Sequence, residues 1–192
     1  MHARVAAFAL VLLGAVGAAA QGPPGLAGTW RLNRDLSQDL SERIKAVAGS
    51  EQMSGGPRTW ATETWLPWKA NFGENDRLTV RDFLLAAVPA FDAIEIEQGP
   101  DEVKTIHGEG ASRIFNLKRE SAGTSALSGE KVKRQARLEG GRLVLESKGK
   151  DGTFEESLTP EDSGTRLVYV LRLEQKRLKD TLEARLVYDR AP

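Results

Sequence analysis

The chain has 192 residues, of which 27 are basic and 27 acidic, with four tryptophans and no cysteine. Zero formal charge argues against the bulk attraction on which non-specific nucleic-acid binding depends. The absence of thiols excludes disulfides and cysteine-ligated metals, so stability must come from an apolar core and backbone hydrogen bonds.

Residues 1–20 read as a cleavable secretory signal: Arg4 near the start, an apolar run from Val5 to Val16 broken only by Gly14, then small residues from Gly17 to Ala20. A retained N-terminal anchor is the less favoured alternative, because a membrane-spanning helix needs ~20 apolar residues. No cysteine follows the signal to take a lipid, and no later segment is apolar enough to span a bilayer. The expectation is an exported protein, periplasmic or secreted, with residues 21–192 as a single domain.

Gln21 to Gly25 is a flexible leader, and Leu26 to Leu32 reads as a short strand with Trp30 and Leu32 on one face. Asp35 is placed to cap a helix, with Leu36, Leu40, Ile44 and Val47 forming one apolar stripe and Gly49 ending it. Residues 49–76 have no period, being broken by Gly55-Gly56-Pro57, Pro67 and Gly73, yet they carry Trp60, Trp65, Trp68 and Phe72. A second helix is predicted from Thr79, with Asp82 completing a capping pair, burying Val80, Phe83, Leu84 and Val88 before Pro89 stops it. Residues 34–91 are thus a helical and irregular insert after the first strand.

From Ala93 onward the pattern is short β segments joined by Gly, Asp and Pro turns. The segments are Ile94 to Glu97, Val103 to Ile106, Arg113 to Leu117, Val132 to Leu138, Arg142 to Glu146, Thr153 to Leu158, Arg166 to Leu173 and Leu182 to Tyr188. Glu120 to Ser128 reads as a polar loop, and Gly140-Gly141 as a tight hairpin turn. Leu171, Leu178, Leu182 and Leu186 also fit a helical stripe. The β-branched and aromatic residues at 168–170 and 187–188 favour strand–loop–strand over a terminal helix. Eight such segments plus the Trp30 strand suffice for an up-and-down meander that closes on itself and removes exposed sheet edges.

The residues that could carry chemistry are few. His107 is the sole histidine after the signal and falls in a Gly-rich turn with no nucleophile elbow nearby, so neither a Ser-His-Asp relay nor a metal site is expected. His107-Gly-Glu-Gly110 lacks the third glycine of a nucleotide site. Ser128-Gly-Glu-Lys131 spells Ser-x-x-Lys but enters a strand, where its ends point to opposite faces. Glu155-Glu156 point apart for the same reason, and Glu95 with Glu97 makes a solvated face. Lys131, Lys133 and Arg134, near Lys118 and Arg119, read as a solvated strand face before they read as a basic patch.

Gly28-Thr-Trp-Arg-Leu-Asn33 resembles the first strand of lipocalins and their calycin relatives. The resemblance implies that Trp30 closes one end of a barrel under an arginine from the last strand, Arg185 or Arg190. The wider layout, from Gly28-Thr-Trp-Arg-Leu-Asn-Arg-Asp-Leu-Ser37 through Ile94-Glu-Ile-Glu-Gln98 to Leu186-Val-Tyr-Asp-Arg-Ala191, looks like a family of exported proteins common in acidobacteria and similar soil bacteria. It brings no activity or site residues with it. Two features depart from that layout: Leu138 stands before the Gly-Gly turn where many relatives have tryptophan, and the 49–76 segment is unusually rich in tryptophan.

The expected fold is therefore mainly β: an antiparallel meander closing into a lipocalin-like barrel or half-barrel, with a helical insert after the first strand. The expected function is a non-enzymatic binding module without cofactor, taking a small apolar or amphipathic ligand against Trp60, Trp65, Trp68, Phe83 and Phe115. The same tryptophans could instead plug the barrel mouth or anchor the insert. The alternative function is an envelope interaction protein with a filled core that meets a partner protein through the insert. A carboxylate-based hydrolase is a third reading, and it would need two acids converging in one pocket.

Overall fold

The computed structural model describes residues 25–49, 79–108, 112–124, 131–150 and 152–192. The signal region and the segment holding Trp60, Trp65 and Trp68 lie outside these residues, as does the side chain of Phe83. Ten antiparallel strands form one sheet: β1 (Gly28–Leu32), β2 (Ala93–Gln98), β3 (Glu102–His107), β4 (Ser112–Asn116), β5 (Ser121–Thr124), β6 (Lys131–Glu139), β7 (Arg142–Lys148), β8 (Gly152–Glu161), β9 (Arg166–Gln175) and β10 (Leu182–Arg190). Their order is β4-β3-β2-β1-β10-β9-β8-β7-β6-β5, so consecutive strands pair throughout except β4 and β5, and β1 also pairs with β10. The two ends of the sheet curl together until β4 lies against β6, and the barrel is nearly closed.

The two-residue period decides what is inside. Ile94 and Ile96, Val103, Phe115, Leu143 and Leu145, Phe154 and Leu158, and Leu167, Leu171 and Leu173 are all buried in one core. The leucines that fit a helical stripe obey the strand period instead. Leu171 belongs to β9, Leu182 and Leu186 to β10, and Leu178 sits in the connection between the two strands, bridged to Ala48. Strand–loop–strand is the arrangement over 166–190. The tenth strand, β5, was not expected: it falls in the stretch that reads as polar loop. Its residues Ser-Ala-Gly-Thr offer no large apolar side chain to mark a period, and its pairing with β6, from Ser121 opposite Arg134 to Thr124 opposite Lys131, is a backbone matter.

Among the described residues two helices follow β1 within the insert, α1 (Leu40–Val47) and α2 (Val80–Ala87). Helix α1 starts at Leu40, five residues beyond Asp35, and its N-cap is Asp39, whose carboxylate accepts from the backbone N–H of Ser41 and Glu42. The delay has a cause. Residues 33–38 are strapped to β10, with Asn33 N–H donating to Val187 O, Gln38 N–H to Arg185 O, and the Ser37 hydroxyl and Gln38 amide oxygen accepting from Val187 N–H and Arg185 N–H. A backbone committed to that edge cannot turn into a helix, and Leu36 is left about half exposed at 47%. Helix α2 begins as expected, with Thr79 and Asp82 forming a reciprocal capping box. Pro89 lies in the 3-10 turn Val88–Phe91 that follows it.

At the end of the barrel formed by the starts of β1 and β9 and the end of β10, the Trp30 indole N–H donates to Leu26 O at 2.9 Å. The Arg190 guanidinium lies 4.3 Å from the Trp30 ring centre. Arg190 also donates to Gly164 O at 2.7 Å, to Ala27 O at 2.8 Å and to Gly25 O. Gly28 has φ +138°, and a Cβ there would stand 2.5 Å from Arg190 Nη1, so a side chain at 28 would displace the lid. Arg185 takes no part in it: its side chain is exposed on β10.

Candidate functional site

Inside this apolar barrel sits a charged group of residues contributed by four strands. Arg113 of β4 donates from Nη1 to Glu156 Oε2 at 2.5 Å and from Nη2 to Glu156 Oε1 at 2.7 Å, a two-pronged pair with both side chains sealed from solvent. The Tyr169 hydroxyl of β9 donates to Glu156 Oε1 at 2.7 Å. His107 of β3 has Nε2 3.2 Å from Arg113 Nη2 and 3.5 Å from Glu156 Oε1. The guanidinium carbon of Arg113 lies 5.3 Å from the Phe115 ring centre and 5.7 Å from that of Phe154, so two aromatic rings support the cation.

Electrostatics fix the charge states. Burial alone would raise the Glu156 carboxyl, but the charge of Arg113 and the hydrogen bonds it donates outweigh it and hold the acid at about 2. Burial pushes His107 down, against the opposing pull of Glu156, so the imidazole is neutral at pH 7. With Arg113 donating to Nε2, the proton of neutral His107 resides on Nδ1. Burial raises the Tyr169 phenol, and the neighbouring Glu156 charge raises it further. The pair is thus Arg⁺ with Glu⁻, flanked by neutral His107 and Tyr169, with the partly buried Arg134 cation of β6 within electrostatic reach of both. A carboxylate held this firmly ionised is a poor general acid at pH 7. Among the described residues no three His, Asp or Glu side chains converge as metal ligands.

A cavity of about 310 Å³ meets this cluster at Phe91. Its apolar lining comes from Leu32 of β1, Leu40 of α1, Val88 and Phe91 of the 3-10 turn, and Leu186 of β10, while Arg34, Ser37, Gln38 and Asp39 supply its polar rim. Phe91 belongs to both places. Its ring centre is 5.4 Å from that of His107 and 6.2 Å from that of Tyr169, edge to face. The Tyr188 hydroxyl donates to Phe91 O at 2.9 Å and holds the turn down on the barrel. Leu186, a wall of the cavity, is the cross-strand partner of Tyr169.

Of the residues expected to meet a ligand, Trp60, Trp65 and Trp68 lie outside the described residues, and the Phe83 side chain does too. Phe115 is fully buried beneath Arg113 and does not line the cavity. His107, expected in a turn, is the last residue of β3 and belongs to the cluster. Glu156 is expected only as half of an acidic pair whose members point apart, and Arg113 only as the start of a strand; neither is expected in the interior. A signal existed for both: Glu156 sits in phase between Phe154 and Leu158, and Arg113 in phase with Phe115, so each puts a charge where its strand should be apolar. Arg134, expected on a solvated face, is instead partly buried on the same side of β6 as Ala136 and opposite buried Ser147.

No family model and no curated protein matches the chain. Solved structures of similar shape include a fatty-acid-binding protein from brain tissue of Drosophila melanogaster, 15% identical, covering 86% of this chain and 98% of its own, with a TM-score of 0.49. A SAHS protein from Ramazzottius varieornatus is 12% identical, covers 87% of this chain and 96% of its own, and scores 0.48. Fatty-acid-binding protein 1 of Echinococcus granulosus is 10% identical, covers 88% of this chain and 98% of its own, and scores 0.49. At these scores and identities none of the likenesses says what this chain binds. Its own side chains must.

Proposed function

We propose that residues 21–192 form an exported, non-enzymatic binding module that seats one small amphipathic ligand at the helix-covered end of the barrel. The observation that carries the reading is the cavity of about 310 Å³, with its floor of Leu32, Leu40, Val88, Phe91 and Leu186 and its rim of Arg34, Ser37, Gln38 and Asp39. An apolar floor under a polar rim matches a ligand with one greasy and one wet end. Export and kinship with the acidobacterial exported proteins rest on the Arg4-led apolar run and on the Gly28-Thr-Trp layout. Cell fractionation of the full-length chain tests export, and retention in the cytoplasm refutes it.

Nuclear magnetic resonance titration with octyl glucoside below its micelle concentration tests binding. The backbone amides of Leu32, Leu40, Val88 and Leu186 are expected to shift together. The V88W variant, which fills the cavity from its floor, is expected to weaken binding at least about tenfold, equivalent to ~1.4 kcal/mol. Shifts confined to other surfaces, or an unchanged affinity in V88W, would sink the assignment. A second reading, an interaction protein with a filled core, draws on the complete burial of Phe115, Leu145 and Leu158. It predicts no saturable shift with any amphiphile.

A further inference from the structure

Phe91 of the cavity wall packs on His107, one of three neighbouring residues that hold buried polar atoms with no partner in the protein. Thr105 Oγ1, His107 Nδ1 and Arg113 Nε are buried and make no hydrogen bond to the chain, although their residues are 0%, 0% and 1% exposed. The three residues adjoin: Thr105 faces Arg113 across β3 and β4, and His107 meets Arg113 through its Nε2. Each buried polar group left in that state costs about 1–3 kcal/mol. Phe91 alone combines contact with His107 and Tyr169 on one side with a place in the cavity wall on the other.

Resting on the reading of the cavity as a ligand site, we infer that the ligand's head group passes Phe91 and is received at Thr105, His107 and Arg113, and that this head group is an uncharged oxygen, an alcohol or an amide carbonyl, rather than a carboxylate. The chemistry of the donors leads to this choice. Both Nη atoms of Arg113 and the Tyr169 hydroxyl, the donors a carboxylate would seek, are already spent on Glu156. What remains is the Arg113 Nε–H, the His107 Nδ1–H and the Thr105 hydroxyl. These satisfy a neutral acceptor. A carboxylate placed there would lie beside the fixed negative charge of Glu156 in a medium that screens it poorly.

The test compares decan-1-ol, decanamide and decanoate on the full chain at pH 7, following the His107 imidazole signal, which is assigned by its loss in the H107Q variant. The alcohol and the amide are expected to shift that signal and to bind at least about tenfold tighter than decanoate, since a buried like-charge contact is strongly disfavoured. In the E156Q variant Arg113 is freed, and the order is expected to reverse in favour of decanoate. Decanoate binding the unmodified protein as well as the alcohol would overturn the head-group assignment while leaving the cavity reading intact. So would binding that shifts the cavity amides and leaves His107 unmoved. No binding by any of the three would overturn both. If E156Q does not fold, the comparison on the unmodified chain still decides.

Discussion

Glu156 lies between Phe154 and Leu158 on the inward face of β8, a place where a carboxylate survives only because Arg113 meets both of its oxygens. Removing one member of such a pair strands the other, at a cost of about 3–5 kcal/mol. The pH dependence follows from the direction of each shift. Glu156 is held at about 2 when folded against 4.5 when free, so the fold gains stability above pH 4.5 and loses it progressively as pH falls from 4.5 towards 2. That shift corresponds to about 3 kcal/mol. His107, kept neutral inside but free to protonate in the unfolded chain, adds a loss that begins as pH drops below 6.5. Tyr169 and Tyr188, both raised mainly by burial, make stability fall as pH climbs past 10. Urea unfolding across this range should show the steepest acid loss below pH 4.5, and E156Q should lack that part of the slope. Parallel curves for the two proteins between pH 4.5 and 2 would refute the assignment. None of this could be read from Glu156 in isolation. Alternation along β8 says which way the side chain faces, but not that β4, more than forty residues away in sequence, brings Arg113 to meet it.

Helix α1 shows how a tertiary contact overrides a local pattern. Leu36, Leu40, Ile44 and Val47 share a helical period, and Asp35 precedes them as a cap would. The backbone of 33–38 nevertheless hydrogen-bonds to β10, and the helix waits until Asp39 can cap it. The consequence is measurable. Asp39→Ala removes two acceptor contacts to the first turn and should cost about 1 kcal/mol of unfolding free energy, whereas Asp35→Ala should leave it unchanged. Equal effects of the two substitutions in denaturant titrations would mean that the cap is misplaced. Helix α2 was legible from Thr79 and Asp82, because a capping box is a contact among neighbours in sequence. Strand β5 was not, because its place in the sheet depends on what β6 offers and not on its own four residues.

Across the whole barrel, the meander was visible in the spacing of apolar pairs and turns, whereas closure depends on the return of β10 to β1, which no local pattern announces. Trp30 opposite Arg190 and Leu32 opposite Tyr188 tie the first strand to the last, and β2 pairs on the other side of β1. The resulting sheet is uneven. β8 pairs with β9 from Gly152–Gln175 to Glu161–Arg166, and β9 with β10 from Leu182–Leu173 to Asp189–Arg166, without interruption. At the opposite end of the order, β5 has four paired residues and a neighbour on one side only, and β4 is likewise a terminal strand of the sheet. Opening an end strand breaks one ladder and exposes little apolar surface, while opening β9 breaks two ladders and uncovers Leu167, Tyr169, Leu171 and Leu173 together. Hydrogen exchange should therefore rank β9 amides slowest, near the global unfolding limit, with β8 and β10 close behind and β5 fastest among the strands. The edges β4 and β5 flank the gap through which the barrel interior can breathe, so their exchange should be insensitive to a ligand seated under α1. Amides of Val88, Ala90 and Phe91 should slow when octyl glucoside is bound. If β4 and β5 slow instead, the ligand enters through the gap between the end strands, and the helix-covered end is only a lid.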